Sequence, residues 1–186
     1  MRYIIGFLVT IGLIIVALIL IFHGGNGGQQ KPQTDAPALS QYSQTSTTVR
    51  WTVDGPVNNT ANHRQVRVTV GQIAVIAEVL QGYDGTVIKS ETYPNNTAAY
   101  AAFLHSLTLA GYTKGDTDPK LRDERGYCAT GDRYVYEVAN GSTIKEHYWH
   151  TSCGKGTYLG ASELTNGLFR AQVPSYSTFT SGVNVY

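Results

Sequence analysis

The chain opens on an unbroken apolar stretch. Tyr3 to Phe22 is twenty residues without a charge, rich in Ile, Leu and Val, with polar side chains only at Tyr3 and Thr10. A helix of that length covers about 30 Å, the thickness of a bilayer's hydrocarbon core. The stretch is longer than the apolar region of a secretory signal and ends Leu20-Ile21-Phe22-His23, without a small-residue cleavage pattern. The pattern predicts an uncleaved transmembrane anchor over residues 1–23, with the lipid bilayer as partner through Tyr3–Phe22. Arg2 is the only charged side chain before Lys31. The positive-inside bias therefore predicts a single-pass protein of the cell membrane, its N-terminus cytoplasmic and the rest extracytoplasmic.

Residues 24–48 read GGNGGQQKPQTDAPALSQYSQTSTT, where only Leu39 and Tyr42 could anchor anything. Such a composition cannot bury enough apolar surface to order itself. It predicts a disordered tether spanning about 25–30 Å.

From residue 49 to 186 the pattern changes to that of a folded domain. Val49–Asp54 and Arg64–Val70 alternate apolar and polar residues, which predicts half-buried strands. Ile73–Gln81 is nearly continuous in Ile, Val, Leu and Ala and predicts a central strand. Gly82-Tyr83-Asp84-Gly85 turns the chain into a fourth strand, Thr86–Tyr93. Tyr100, Phe103, Leu104 and Leu107 then recur on one helical face. Asn96 is the expected N-cap and Gly111 the left-handed stop. His105 falls on the opposite face. Lys114–Gly126 predicts a loop, with Arg122-Asp123-Glu124-Arg125 as a solvated turn. Asp132–Ala139 and Ser142–Thr151 predict a hairpin about Asn140-Gly141, a type I′ signal. Ser162–Gln172 predicts a short helix that Pro174 ends. The fold class is α+β: an antiparallel sheet of about six strands with two helices.

The hairpin carries the candidate chemistry. With Asn140 and Gly141 as the two loop residues, Ala139 faces Ser142. Counting outward, Cys128 faces Cys153 on a non-hydrogen-bonded site, with Cα atoms about 4.5 Å apart. That spacing predicts a disulfide. The same register puts Tyr134, Tyr136, His147 and Trp149 on one face and Tyr148 on the other with Arg133 and Val135. There are thirteen tyrosines in a chain with 15% charged residues. Tyr and Trp favour interfaces as well as strand cores. Tyr134, Tyr136, His147, Tyr148 and Trp149 are therefore the candidate binding surface.

Charge and motifs narrow the function. From Lys31 onward the chain has thirteen basic and thirteen acidic residues. A neutral body lacks the basic stripe of a nucleic-acid binder. His147-x-x-His150-x-x-Cys153 has metal-like spacing, yet residues three apart on a strand point to opposite faces. No metal or other cofactor is expected. Gly154-Lys155-Gly156 lacks the spacing of a phosphate loop and reads as a tight turn. No serine, cysteine or threonine has a visible activating partner, so no catalytic residue is assigned. The reading is a non-catalytic, membrane-anchored binding module of the cell envelope, with a protein or an envelope polymer as its partner. An enzyme acting on envelope polymers is one alternative. Gly6-Phe7 ahead of the apolar stretch resembles the processing site of type IV pilins, although Ile11 stands where that family carries Glu. That resemblance implies a second alternative, a minor pilin or secretion-assembly subunit.

Overall fold

The computed structural model describes residues 39–43, 45–183 and 185. The anchor expected over Tyr3–Phe22 and the first part of the tether lie outside the described residues. Among those described, no helix is long and apolar enough to cross a membrane.

The folded part begins earlier than residue 49. Leu39–Tyr42 forms a 3-10 turn and Leu39 is buried in the core. A single leucine so placed contributes about 1.5–3 kcal/mol, and Tyr42 packs against the same core, in a segment whose composition alone reads as tether. Strand β1 (Thr47–Asp54) follows, then β2 (Arg64–Val70), β3 (Ala74–Gln81) and β4 (Thr86–Pro94). Helix α1 spans Thr97–Leu109. After a long loop containing a 3-10 turn at Pro119–Leu121 come β5 (Arg133–Asn140) and β6 (Thr143–Thr151). Helices α2 (Ser162–Arg170) and α3 (Tyr176–Phe179) close the described chain.

The six strands form one antiparallel sheet in the order β4-β3-β2-β1-β5-β6, and the fold is α+β. The first strand is a central one. The local meander β1 to β4 grows away from it on one side, and the β5–β6 hairpin docks on the other. Val49, Trp51 and Val53 of β1 are fully buried. They align with Val70, Val68 and Val66 of β2 and with Val138, Tyr136 and Tyr134 of β5. This apolar face is covered by the helices. Phe169 of α2 stacks on Trp51, with ring centroids 6.0 Å apart, and Phe103 of α1 meets Phe169 edge-on at 5.2 Å.

Local signals explain the ends of α1. Asn96 Oδ1 accepts from the Ala99 N–H at 2.9 Å, satisfying one orphan donor of the first turn. Gly111 has φ +74°. Its N–H reaches Thr108 O and the Tyr112 N–H reaches Leu107 O, both at 3.0 Å. This is a Schellman motif, and the positive φ is what makes glycine the suitable residue. The motif also sends Tyr112 back into the core. Its hydroxyl lies 2.7 Å from Arg50 O and 2.9 Å from Glu137 O, and it accepts the Glu137 N–H at 3.0 Å. A side-chain hydroxyl thus sits within the β1–β5 ladder.

Candidate functional site

The hairpin register differs from the expected one in two steps. Asn140 pairs with Thr143 and Ala139 with Ile144, so the loop residues are Gly141 and Ser142. A type I′ turn needs positive φ at both central residues. Gly141 has φ +60°, while neither Asn140 nor Ser142 has a positive φ, the pattern of a type II′ turn with glycine first. This change moves the pairing by two residues and leaves the faces as expected. The second step reverses them. A bulge between Val138 and Ala139 leaves Lys145 unpaired, so Val138 pairs with Glu146 and Tyr136 with Tyr148. Every later side chain of β6 therefore crosses to the opposite face.

Three of the four aromatic residues assigned to a binding surface, Tyr136, Tyr148 and Trp149, are buried. Tyr136 shares the helix-covered face with Tyr148, and both are buried. The Tyr136 hydroxyl donates to Asn166 Oδ1 at 2.9 Å, and its ring stacks on Tyr158 at 4.1 Å. Tyr148 donates to Glu146 at 2.8 Å. Burial and the Glu146 carboxylate push the Tyr148 phenol well above its ordinary range. Trp149 lies on the other face yet is also buried. The Lys114–Gly126 loop wraps under β6, where Trp149 Nε1 donates to Leu121 O at 2.7 Å and Tyr127 packs on the indole at 4.9 Å. Only Tyr134 and His147 of the five remain partly exposed.

The disulfide forms, but not within the ladder. The paired strands end at Arg133 and Thr151. Cys128 and Cys153 lie in the turns just beyond, bonded with Cα atoms 5.7 Å apart. Gly131 allows the approach, since a Cβ there would overlap the Cys128 sulfur and the Ser152 side chain.

His147 is the centre of what the structure assembles. Its Nδ1 donates to Glu137 Oε1 at 3.1 Å and its Nε2 to Glu124 Oε2 at 3.2 Å. Two carboxylates on two ring nitrogens require both to carry protons. The hydrogen bond to Glu124, then that to Glu137, raises the imidazole from 6.5 to about 9 against the opposing effect of burial. Burial alone would raise the Glu137 carboxyl. The His147 hydrogen bond and the Arg50 charge outweigh it and hold that carboxyl below its ordinary value. Arg50 reaches Glu137 at 3.3 Å, giving a chain of alternating charge, Arg50-Glu137-His147-Glu124. Glu124 comes from the stretch expected to be a solvated turn. Its neighbours Arg122, Asp123 and Arg125 are exposed as expected, and Glu124 alone turns inward.

Beside His147 lies an open cavity of about 200 Å³ lined by residues that include Asp116, Asp118, Arg122, Lys145 and Tyr148. It is smaller than the roughly 300–1,000 Å³ of ordinary small-molecule sites. Its carboxylates are partly engaged, since Asp116 accepts the Asp118 N–H at 2.9 Å and Asp118 the Lys120 N–H at 3.0 Å. His147 and His150 pair with Glu137 and Tyr134 on opposite faces, and Cys153 is in the disulfide, so the three do not converge. Among the described residues no group of His, Cys, Asp or Glu could hold a metal ion.

A second charged cluster stands at the other end of β1. Arg133 Nε donates to Asp54 Oδ2 at 2.8 Å. His63 Nε2 lies 2.8 Å from Asp54 Oδ1, off line for a hydrogen bond. The His63 ring stacks on Tyr83 at 4.1 Å, and the Tyr83 hydroxyl donates to Asn58 O at 2.7 Å. His63 is fully buried, and the cluster ties Tyr83 to the loop between β1 and β2. Compared with known families and characterised proteins, the chain matches no family pattern and no characterised sequence.

Proposed function

We propose that this protein is a membrane-anchored, extracytoplasmic, non-catalytic module that binds another component of the cell envelope. In this reading Tyr3–Phe22 spans the bilayer, a short polar tether follows, and the domain from Leu39 onward stands outside. The observation that carries it is the Cys128–Cys153 disulfide, downstream of a twenty-residue uncharged stretch. Disulfides of this kind persist in oxidising compartments outside the cytoplasm. The hairpin supports binding more than catalysis, because its histidine is held between two carboxylates rather than beside a nucleophile. The surface it offers is polar, formed by Asp116, Asp118, Arg122 and Lys145 around the cavity.

The test is topological. Protease added to intact cells should remove the domain and leave a membrane-embedded peptide containing Tyr3–Phe22. Mass spectrometry of the untreated membrane fraction should find the N-terminus intact. A mature chain beginning near Gly24 would overturn the anchor, and one beginning at Phe7 would favour the pilin-like alternative.

A further inference from the structure

The two edges of the sheet are unlike. The β6 edge is occupied by the chain itself, since the N–H groups of Thr157 and Tyr158 donate to Trp149 O at 2.8 and 2.9 Å and that of Thr151 donates to Lys155 O at 2.8 Å. Among the described residues the β4 edge is open, and every residue of β4 except Tyr93 is exposed. An edge strand leaves half its N–H and C=O groups unpaired, a template for another strand.

The sequence of β4 says which strand fits. Thr86–Pro94 is centred on Ser90, with Lys89 and Glu91 on either side and Ile88 and Thr92 beyond them. From this pattern we infer that β4 pairs antiparallel with β4 of a second copy, about a two-fold axis through Ser90. Lys89 of each copy then faces Glu91 of the other. Opposite charges directly across an antiparallel pair stabilise it, and like charges destabilise it. Slipping the pair by two residues puts Lys89 opposite Lys89 in one direction and Glu91 opposite Glu91 in the other. The charges therefore select the Ser90-centred register over both neighbours.

The faces agree. Lys89 pairs with Val79 and Glu91 with Ala77 within the sheet, so both side chains point to the helix-covered side. A two-fold axis perpendicular to the sheet keeps them on that side in both copies and leaves an isologous contact. Both remain accessible, with side-chain exposures of 42% and 44%. Within one copy Lys89 Nζ donates to Phe179 O at 2.8 Å and lies 3.8 Å from Glu91 Oε1, so the two charged side chains stand side by side at the edge. The ladder to β3 shifts register next to Lys89, leaving Ile88 unpaired. Such a bulge bends an edge strand, so the straight segment centred on Ser90 runs from Lys89 to Glu91. Three rungs bury less than the roughly 1,600 Å² of a standard interface, and the pair forms and dissociates with concentration.

Cysteine capture tests this, because both native cysteines are bonded and no thiol is free. In the purified full-length chain, Ser90→Cys puts two thiols across the axis at disulfide distance. Under mild oxidation its covalent dimer should form at least about tenfold faster than that of Ser142→Cys, an exposed site at the β5–β6 turn, because pairing raises the local thiol concentration. Adding Glu91→Lys to Ser90→Cys sets Lys against Lys and should remove that advantage. Adding Lys89→Glu as well should restore it. Equal rates for Ser90→Cys and Ser142→Cys would overturn the pairing. Faster capture at Lys89→Cys or Glu91→Cys than at Ser90→Cys would overturn the register, as would indifference to Glu91→Lys.

Discussion

Raising the pH should unlock His147. The imidazole is held charged at about 9 by Glu124 and Glu137, against about 6.5 in an unfolded chain. A folded-state value above the unfolded one gives stability that is complete below pH 6.5 and is lost as the pH climbs through 9. The difference corresponds to about 3 kcal/mol, since each tenfold step in proton affinity is about 1.4 kcal/mol. At pH 7.5 roughly 2 kcal/mol of it should remain, and at pH 10 almost none. The side chain is only 17% exposed, so solvent screening removes a modest part. The assay is urea unfolding of the disulfide-bonded protein, followed by tryptophan emission, at pH 6, 7.5, 9 and 10. With a slope of about 1.5 kcal/mol per molar urea, the midpoint should fall by about 2 M from pH 6 to pH 10. The His147→Gln variant lacks the titrating ring, so the difference between it and the parent isolates the effect from other groups. If that difference is the same at pH 6 and pH 10, His147 is not held between two carboxylates and the argument fails.

Three further outcomes follow from the geometry. Tyr136→Ala and Trp149→Ala should each cost about 3–5 kcal/mol, as buried aromatic truncations do; a melting temperature left nearly unchanged by either would return that residue to the surface. Tyr112→Phe keeps the ring but removes the hydroxyl from the β1–β5 ladder, leaving the Glu137 N–H without its partner, and denaturant titration should show a loss of about 1–3 kcal/mol; a neutral result would mean that the ladder closes without it. The Cys128→Ser, Cys153→Ser pair opens a loop whose ends are 25 residues apart and should destabilise by about 3 kcal/mol in the chain-entropy model, while thiol labelling of the unreduced, denatured parent should find nothing to label.

The elements were legible where local chemistry dominates. Alternation marked β1 and β2, and the Asn96 cap with the Gly111 stop bounded α1 to within a residue or two. What failed was whatever depended on a bulge or on distant pairing. The expected Asn-Gly turn placed the two hairpin strands two residues out of register, which did no harm to the faces. The unpaired Lys145 then turned Trp149 and His147 over, and nothing in the local pattern announces a bulge at that position. The disulfide was anticipated from a register that does not occur; rough proximity at the open end of a hairpin was enough. Glu124 sits in a charged loop with no periodicity to read, so its place against His147 was invisible. The burial of Trp149 depends on that same loop. Leu39 belongs to the fold through one buried side chain, a contact that composition averages away.

The position of β1 has a mechanical consequence. Leu39–Tyr42 leads directly into the strand at the middle of the sheet, which is bonded on both sides, to β2 and to β5. Any tension transmitted through the chain upstream of Leu39 arrives first at the Leu39 contact and then along the axis of β1. Two antiparallel ladders would have to slide together, in shear, before the strand could leave. A load on an edge strand would instead peel one ladder a rung at a time. A load entering through Leu39–Tyr42 therefore meets two ladders at once, where one entering at an edge strand would meet a single ladder.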